Sequence, residues 1–231
     1  MAAFTLPDLL AFAWFVGAWI GYSLLIEKTP KGRSGLNALM NNYRDEWMER
    51  LLARDMRMVD AQVTAALQNG AAFFASTSLI AIGGTLTLLR STEQILTVVA
   101  TLPFGVAASA ELWEVKMVGL AIIFVYAFFK FAWSYRVFNY AAILLGAVPT
   151  RDQAGTPQAL AAAARASAMI TVAGRHFNRG QRAFFFALAY LGWFASPYAL
   201  MASTAAAFYV MWRRQLRSEA LEALDVEPLE R

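Results

Sequence analysis

Two cations stand inside an apolar run: "FFKFAWSYRVFNY", residues 128–140, carries Lys130 and Arg136. At membrane depth a Lys or Arg costs about 2.5 to 3.5 kcal/mol on insertion scales, so each is a functional candidate by default. The chemistry on offer is attraction of anions, because rings of Lys or Arg around a pore favour them. No acidic residue in the same apolar stretch, 117–148, neutralises the pair. Six residues apart on a helix, the two side chains point about 120° from each other and do not form one site by themselves. Arg136 shares a helical face with Asn139 and Tyr140, and Lys130 shares one with Tyr126, Trp133 and Ser134. Structural anchoring is the other reading. A span starting near Met117 reaches Arg136 after about 20 residues, which puts Arg136 at the interface and Lys130 within snorkelling distance of it. The remaining candidates for an ion or solute path are Ser76, Thr77, Asn69, Asn178 and Arg182. Small residues four apart around Ser76 and Thr77 equally suit close helix packing.

A second constellation is the dense, mixed-charge stretch around Arg54, Asp55, Arg57 and Asp60. Arg57 and Asp60 are three apart, and Glu46 and Arg50 are four apart in the favourable order, so adjacent helical turns can pair. Such a run is either a solvated, salt-bridged face or a network that sets how helices pack outside the membrane.

Much chemistry is excluded. The chain has no cysteine and a single histidine, His176, which leaves no thiolate metal site, bis-histidine haem or cysteine nucleophile. P-loop and dinucleotide-binding glycine patterns are missing. No catalytic residue, metal or cofactor is assigned, and no enzyme activity is expected. The formal charge of +4 reports loop orientation in a membrane protein, so no nucleic-acid partner is expected.

The elements that must position these residues follow from composition. Of 231 residues, 59% are hydrophobic and 16% charged, against roughly a quarter charged in globular proteins. The apolar blocks predict an all-α, polytopic membrane helical bundle in one integral membrane domain. Its spans are expected at about 6–26, 68–89, 117–137 and 183–212. The first should be retained as a helix, because no Lys or Arg precedes it and no clear cleavage site follows. Amphipathic cytoplasmic helices are expected at about 36–67 and 138–177. Leu36, Met40, Tyr43, Trp47 and Leu51 recur at helical spacing in the first of these, a pattern typical of an amphipathic helix. Asn69-Gly70 suggests a kink where that helix enters the membrane. Residues 94–110, interrupted by Pro103, are read as a non-spanning segment. "GRHFNRGQR", 174–182, leads into the last span, where Ser196-Pro197 should bend the helix.

Orientation follows from basic residues. Lys28, Lys31, Arg33, Arg44, Arg50, Arg54 and Arg57 follow the first span, and Arg151, Arg165, Arg175, Arg179 and Arg182 follow the third. Both loops are therefore expected to be cytoplasmic. Four spans then leave both termini outside, which Arg213, Arg214 and Arg217 oppose. "NGAAFFA" from Asn69 and "NRGQRAFFFA" from Asn178 suggest a parallel repeat of span, cytoplasmic helix, span, or chance in a biased composition.

The runs "RDEWMERLLARDMRMVDAQ" (44–62), "NGAAFFASTSLIAIGG" (69–84), "FKFAWSYRVFNYAAILLGA" (129–147) and "HFNRGQRAFFFALA" (176–189) resemble the domain-of-unknown-function family 599 of multi-span membrane proteins. The resemblance covers nearly the whole chain. It implies a membrane protein with no activity to carry over, and it assigns no role to the matching Arg44, Trp47, Arg54, Asp55, Arg57, Asp60, Asn69, Phe73, Phe74, Arg136, Asn178 and Arg182. The expectation is an oligomeric channel or transporter for a small anionic solute, in a bacterial inner membrane. The alternative is a scaffold or accessory subunit whose cytoplasmic helices bind a protein partner. The lipid bilayer and further copies of the chain are the other expected partners.

Overall fold

Thr5, Pro7 and Asp8 start the first helix. The Asp8 N–H donates to the Thr5 hydroxyl at 3.4 Å and the Thr5 N–H donates to Asp8 Oδ2 at 3.3 Å, a capping box that satisfies donors the helix itself cannot. The computed structural model describes residues 5–100 and 109–224, and every described element is helical. In order they are α1 (Leu6–Lys28), α2 (Pro30–Arg33), α3 (Leu36–Leu51), α4 (Met58–Arg90), α5 (Thr92–Ala100) and α6 (Ala110–Gly146). After a 3₁₀ turn at Arg151–Gln153 come α7 (Pro157–Tyr190), α8 (Gly192–Ala195), α9 (Pro197–Leu216) and α10 (Glu219–Glu222). Three of them, α1, α4 and α6, are long and apolar enough to cross a membrane, which points to a membrane protein. Among the described residues, length and composition thus support three spans and do not confirm the expected four.

Several expected boundaries move. The segment 36–67 is not one helix: α3 stops at Leu51, a turn follows, and residues from Met58 onward belong to α4. Nor does Asn69-Gly70 interrupt α4, which continues through it. "GRHFNRGQR" is likewise helical, inside a single 34-residue α7. Its glycines serve packing: a Cβ on Gly180 would lie 2.7 Å from the Phe131 ring, and one on Gly174 2.8 Å from the Arg44 guanidinium. The expected span at 183–212 is divided among α7, α8 and α9. Ser196 is fully extended at φ −168°, ψ 162°, as a residue before proline prefers. Its hydroxyl then accepts from the Ala199 N–H at 3.0 Å, and Pro197 starts α9. Of the segment 94–110, α5 covers the first part with nine residues, too few to cross about 30 Å. Residues 101–108 lie outside the described residues.

The chain divides into two compact units. The first contains residues 1–39, 84–121 and 185–231. In it, α9 folds back along the end of α7, since the Ser203 hydroxyl donates to the Ala189 carbonyl at 2.6 Å. It also runs parallel to α1: Trp14 Nε1 donates to the Met201 carbonyl at 3.3 Å, and Tyr22 meets Phe208 edge-on at 5.4 Å. Ser196-Pro197 is therefore a reversal, not a bend within one span. At the far end, Gly35 lies against Gln215.

Residues 40–83 and 122–184 form the second unit. Here α6 and α7 run antiparallel, with Phe124 against Phe184, Phe131 against Phe177, and the Ser134 hydroxyl donating to the Ala173 carbonyl at 2.8 Å. Ala159, Ala163, Ala166, Ile170 and Ala173 form one buried stripe of α7. These small side chains let α7 approach α6 and α3 closely, burying Met48, Leu51, Val137, Phe138, Ala141 and Leu145. On α4, Phe74 stacks on Phe131 at 5.1 Å and Gln68 donates to Asn139 at 2.8 Å.

Candidate functional site

The charged residues around the α3–α4 turn form the most organised polar site of the second unit. Asp60 sits in the first turn of α4, where the helix dipole favours an anion. It is only 1% exposed. Its Oδ1 accepts from Trp47 Nε1 at 2.6 Å and from Arg54, while Oδ2 takes no hydrogen bond from the protein. Arg54 remains 41% exposed. The expected Arg57–Asp60 pair is absent because both residues find longer-range partners. Arg57 instead donates to the carbonyls of Val148, at 2.6 Å, and Pro149, next to the α6 C-terminus, where orphan carbonyls attract a cation. Asp55 pairs with Arg151 at 2.8 Å, and Glu46 with Arg50 as the spacing indicates. The result is an open recess of about 640 Å³, with Arg54, Asp55, Arg57, Arg151 and Asp152 on its walls.

Two further polar contacts brace this unit. The Ser167 hydroxyl donates to Asp45. Arg44 donates to Asn41 at 2.6 Å, and burial pushes its guanidinium below the ordinary arginine value. An arginine stays cationic at any accessible pH, so the burial there is a desolvation cost and not a switch.

The first unit holds a charged cluster that sequence reasoning missed. Asp8 and Lys116 are 3% and 5% exposed, and Trp193 joins them. Its Nε1 donates to Asp8 Oδ1 at 2.8 Å, and its carbonyl accepts from Lys116 Nζ at 2.8 Å. The ammonium also lies 5.3 Å from the Trp193 ring centroid, and the Thr5 hydroxyl donates to Asp8 Oδ2 at 2.5 Å. This clasp fixes the start of α1 and α6 to the short α8. Thr5-x-x-Asp8 was the legible signal, as a capping-box spacing. Lys116 stands immediately before the apolar run that begins at Met117, and so reads as a mere flank.

The candidate path residues are placed differently from what a conduit through one chain needs. Lys130 lies over the Tyr126 ring at 5.1 Å, and Arg136 over the Tyr140 ring at 5.5 Å. Arg136 is exposed and Lys130 half-buried, on the outward side of α6. Ser76 and Asn69 are exposed, whereas Asn178 and Arg182 are half-buried. Thr77 and Ser78 return their hydroxyls to carbonyls of their own helix, at Phe73 and Phe74, which is what packing residues do in apolar helices. The middle of the second unit is filled by rings: Phe74, Phe131, Phe177 and Phe184 lie within 6.0 Å of one another in successive pairs.

No curated protein and no solved structure matches the chain. The chain matches the model of a family described as "Protein of unknown function, DUF599" over residues 10–220. With nearly the whole sequence covered, the chain belongs to that family.

Proposed function

We propose that this is a membrane-embedded scaffold or accessory subunit that presents a rigid charged surface to a protein partner. The observation that supports it is the anchoring of the α3–α4 turn. Asp60, itself held by the Trp47 indole N–H, pairs with Arg54, and the carbonyls after α6 hold Arg57, so Asp55, Arg151 and Asp152 are exposed on a preorganised rim. Mixed charges on a fixed rim give specificity and register, and like-charge juxtaposition there costs several kcal/mol. Exchanging the pair, Asp55→Arg with Arg151→Asp, keeps the local ion pair while inverting the surface. Recovery of the native-membrane partner is expected to fall about tenfold or more, with the solubilised protein equally stable. Unchanged recovery would refute the reading.

The channel reading keeps one supporting observation: Lys130 and Arg136 face outward on α6, where several copies together could line a path. It requires a closed oligomer in detergent or nanodiscs, and liposome anion flux that Lys130→Ala and Arg136→Ala reduce without loss of fold. A monomer without flux leaves the scaffold.

The α7–α9 reversal also changes the topology inferred from charge. With α1 parallel to α9 and Gly35 against Gln215, Arg213, Arg214 and Arg217 belong to the same end of the first unit as Lys28 and Lys31. Three crossings by α1, α4 and α6, with the turn at Ser196-Pro197 returning α9 to the side from which the end of α7 leaves, then put Arg213, Arg214 and Arg217 on the same cytoplasmic side of a bacterial inner membrane as Lys28 and Lys31 and remove the conflict that four passes create. The cysteine-free sequence makes the test direct. In right-side-out vesicles an impermeant maleimide should label Glu111→Cys and spare Glu219→Cys. Labelling of both from outside would restore an even number of passes.

A further inference from the structure

We propose that the outward face of α6 around Arg136 binds the phosphate of an anionic phospholipid of the cytoplasmic leaflet. The inference rests on the membrane reading of α6 and on the cytoplasmic placement of the basic loop that follows it, and on nothing in the scaffold proposal.

An open recess of about 590 Å³ runs along this face, with Phe129, Trp133, Arg136, Asn139 and Tyr140 on its walls and no acidic side chain among its lining residues. Its polar groups are held in place by the protein. Arg136 Nε donates to the Tyr140 hydroxyl at 2.7 Å, and the guanidinium lies over that ring. Neither Nη nitrogen has a protein acceptor among the described residues, so four N–H groups in a planar fork face outward. That fork matches two phosphate oxygens. Next to it, Asn139 Oδ1 is occupied by Gln68 Nε2 at 2.8 Å, which leaves the Asn139 amide nitrogen as a further donor.

The order of residues along the helix matches the order of groups along a lipid. Phe129 precedes Arg136 by seven residues, about 10 Å of helix, on the side of the apolar stretch. Arg136, Asn139 and Tyr140 follow on the side of the basic loop. Acyl chain against Phe129 and Trp133, and phosphate against Arg136, is the arrangement in which an interfacial arginine and aromatic belt meet a headgroup. A zwitterionic choline lipid fits less well. With no carboxylate in the recess and Arg136 already over the Tyr140 ring, a second cation would be repelled.

The test titrates the full-length protein in detergent with palmitoyl-oleoyl phosphatidylglycerol or phosphatidylcholine, reading bound lipid by native mass spectrometry and thermal stabilisation in parallel. Wild type should prefer phosphatidylglycerol by about fivefold, as one interfacial arginine supplies. Arg136→Gln should abolish the preference and the lipid-dependent stabilisation, while its melting without lipid stays that of wild type. Arg151→Gln, a control at the other recess, should keep both. The proposal is overturned if wild type shows no preference, a result that needs no variant, or if the two variants lose it equally. It is also overturned if a second copy of the chain covers this face and excludes lipid. Partition of the protein into water in a detergent phase separation would refute the membrane reading itself. Partition into detergent without lipid preference refutes this inference alone.

Discussion

Arg54→Ala should destabilise the second unit more than Asp60→Leu does, and combining the two should cost no more than Arg54→Ala alone. The asymmetry follows from burial. Asp60 is 1% exposed and Arg54 41%, so loss of Arg54 strands a carboxylate inside the protein, whereas loss of Asp60 releases a guanidinium that water can solvate. Breaking a fully buried pair by removing one partner costs about 3–5 kcal/mol. Here Trp47 Nε1 and the α4 N-terminus still favour the anion, and Arg54 is already partly solvated. The cost of Arg54→Ala is therefore about 2–3 kcal/mol. Asp60→Leu replaces the carboxylate by an apolar group and removes the buried charge. What remains is a half-buried indole N–H without its acceptor, worth about 1–2 kcal/mol. In the double variant no ion is stranded, so the single effects overlap and the coupling energy is about −2 kcal/mol. Unfolding of the four proteins in the same detergent, followed by Trp fluorescence, measures it. Strictly additive effects would mean that Asp60 is held by groups other than Arg54. The turn that fails here is the one presenting Asp55, so on the proposed scaffold function partner recovery should fall with it.

How far this arrangement was legible depends on whether the deciding contact was local. α1, and the apolar stretches of α4 and α6, are local facts, and their helices stand near the expected positions. The shared face of Arg136, Asn139 and Tyr140 is also local, and these side chains do line one recess. The end of α3 at Leu51 had a signal, because the helical spacing of Leu36, Met40, Tyr43, Trp47 and Leu51 stops there, yet no Gly or Pro marks the turn. What fixes it is Arg57 reaching Val148 and Pro149, about ninety residues away in the chain by those numbers, and no spacing rule sees that. "GRHFNRGQR" misled in the opposite direction. It was expected only to lead from the cytoplasmic segment 138–177 into a span from 183, yet it is helical throughout, and at Gly174 and Gly180 the Arg44 and Phe131 side chains occupy the space a Cβ would take, so tertiary packing overrides propensity. Ser196-Pro197 was placed correctly and its consequence was not. A bend and a reversal share one dipeptide signal, and the choice is made by Trp14 on Met201, Tyr22 on Phe208 and Ser203 on Ala189.

Gly119→Ala is the second large effect expected, with a sign opposite to helix propensity. In an open helical position Gly→Ala gains about 1 kcal/mol, and Gly70, with nothing within 4 Å of an added Cβ, should show that gain. At Gly119 the Cβ would fall inside contact distance of the Tyr190 hydroxyl oxygen and 3.0 Å from its Cζ. Tyr190 cannot swing away. It is 1% exposed and held edge-on by Phe15 at 5.3 Å and Trp193 at 5.4 Å. Overpacking of this kind costs about 1–3 kcal/mol, and a shifted Tyr190 presses on Trp193, the residue that joins Asp8 to Lys116. Gly119→Ala should therefore lower the melting temperature, where Gly70→Ala raises it. The cause is separable from any general intolerance of α6, because Tyr190→Phe removes the one clashing atom. The double variant Gly119→Ala/Tyr190→Phe should recover most of the loss, keeping the propensity gain of alanine and a 3.0 Å approach that a small ring shift relieves. A gain in stability for Gly119→Ala alone, or a double variant no better than the single, would mean that Tyr190 does not pack against α6 as described. The junction of α1, α6 and α8 would then have to be held by the Asp8–Trp193–Lys116 hydrogen bonds without it.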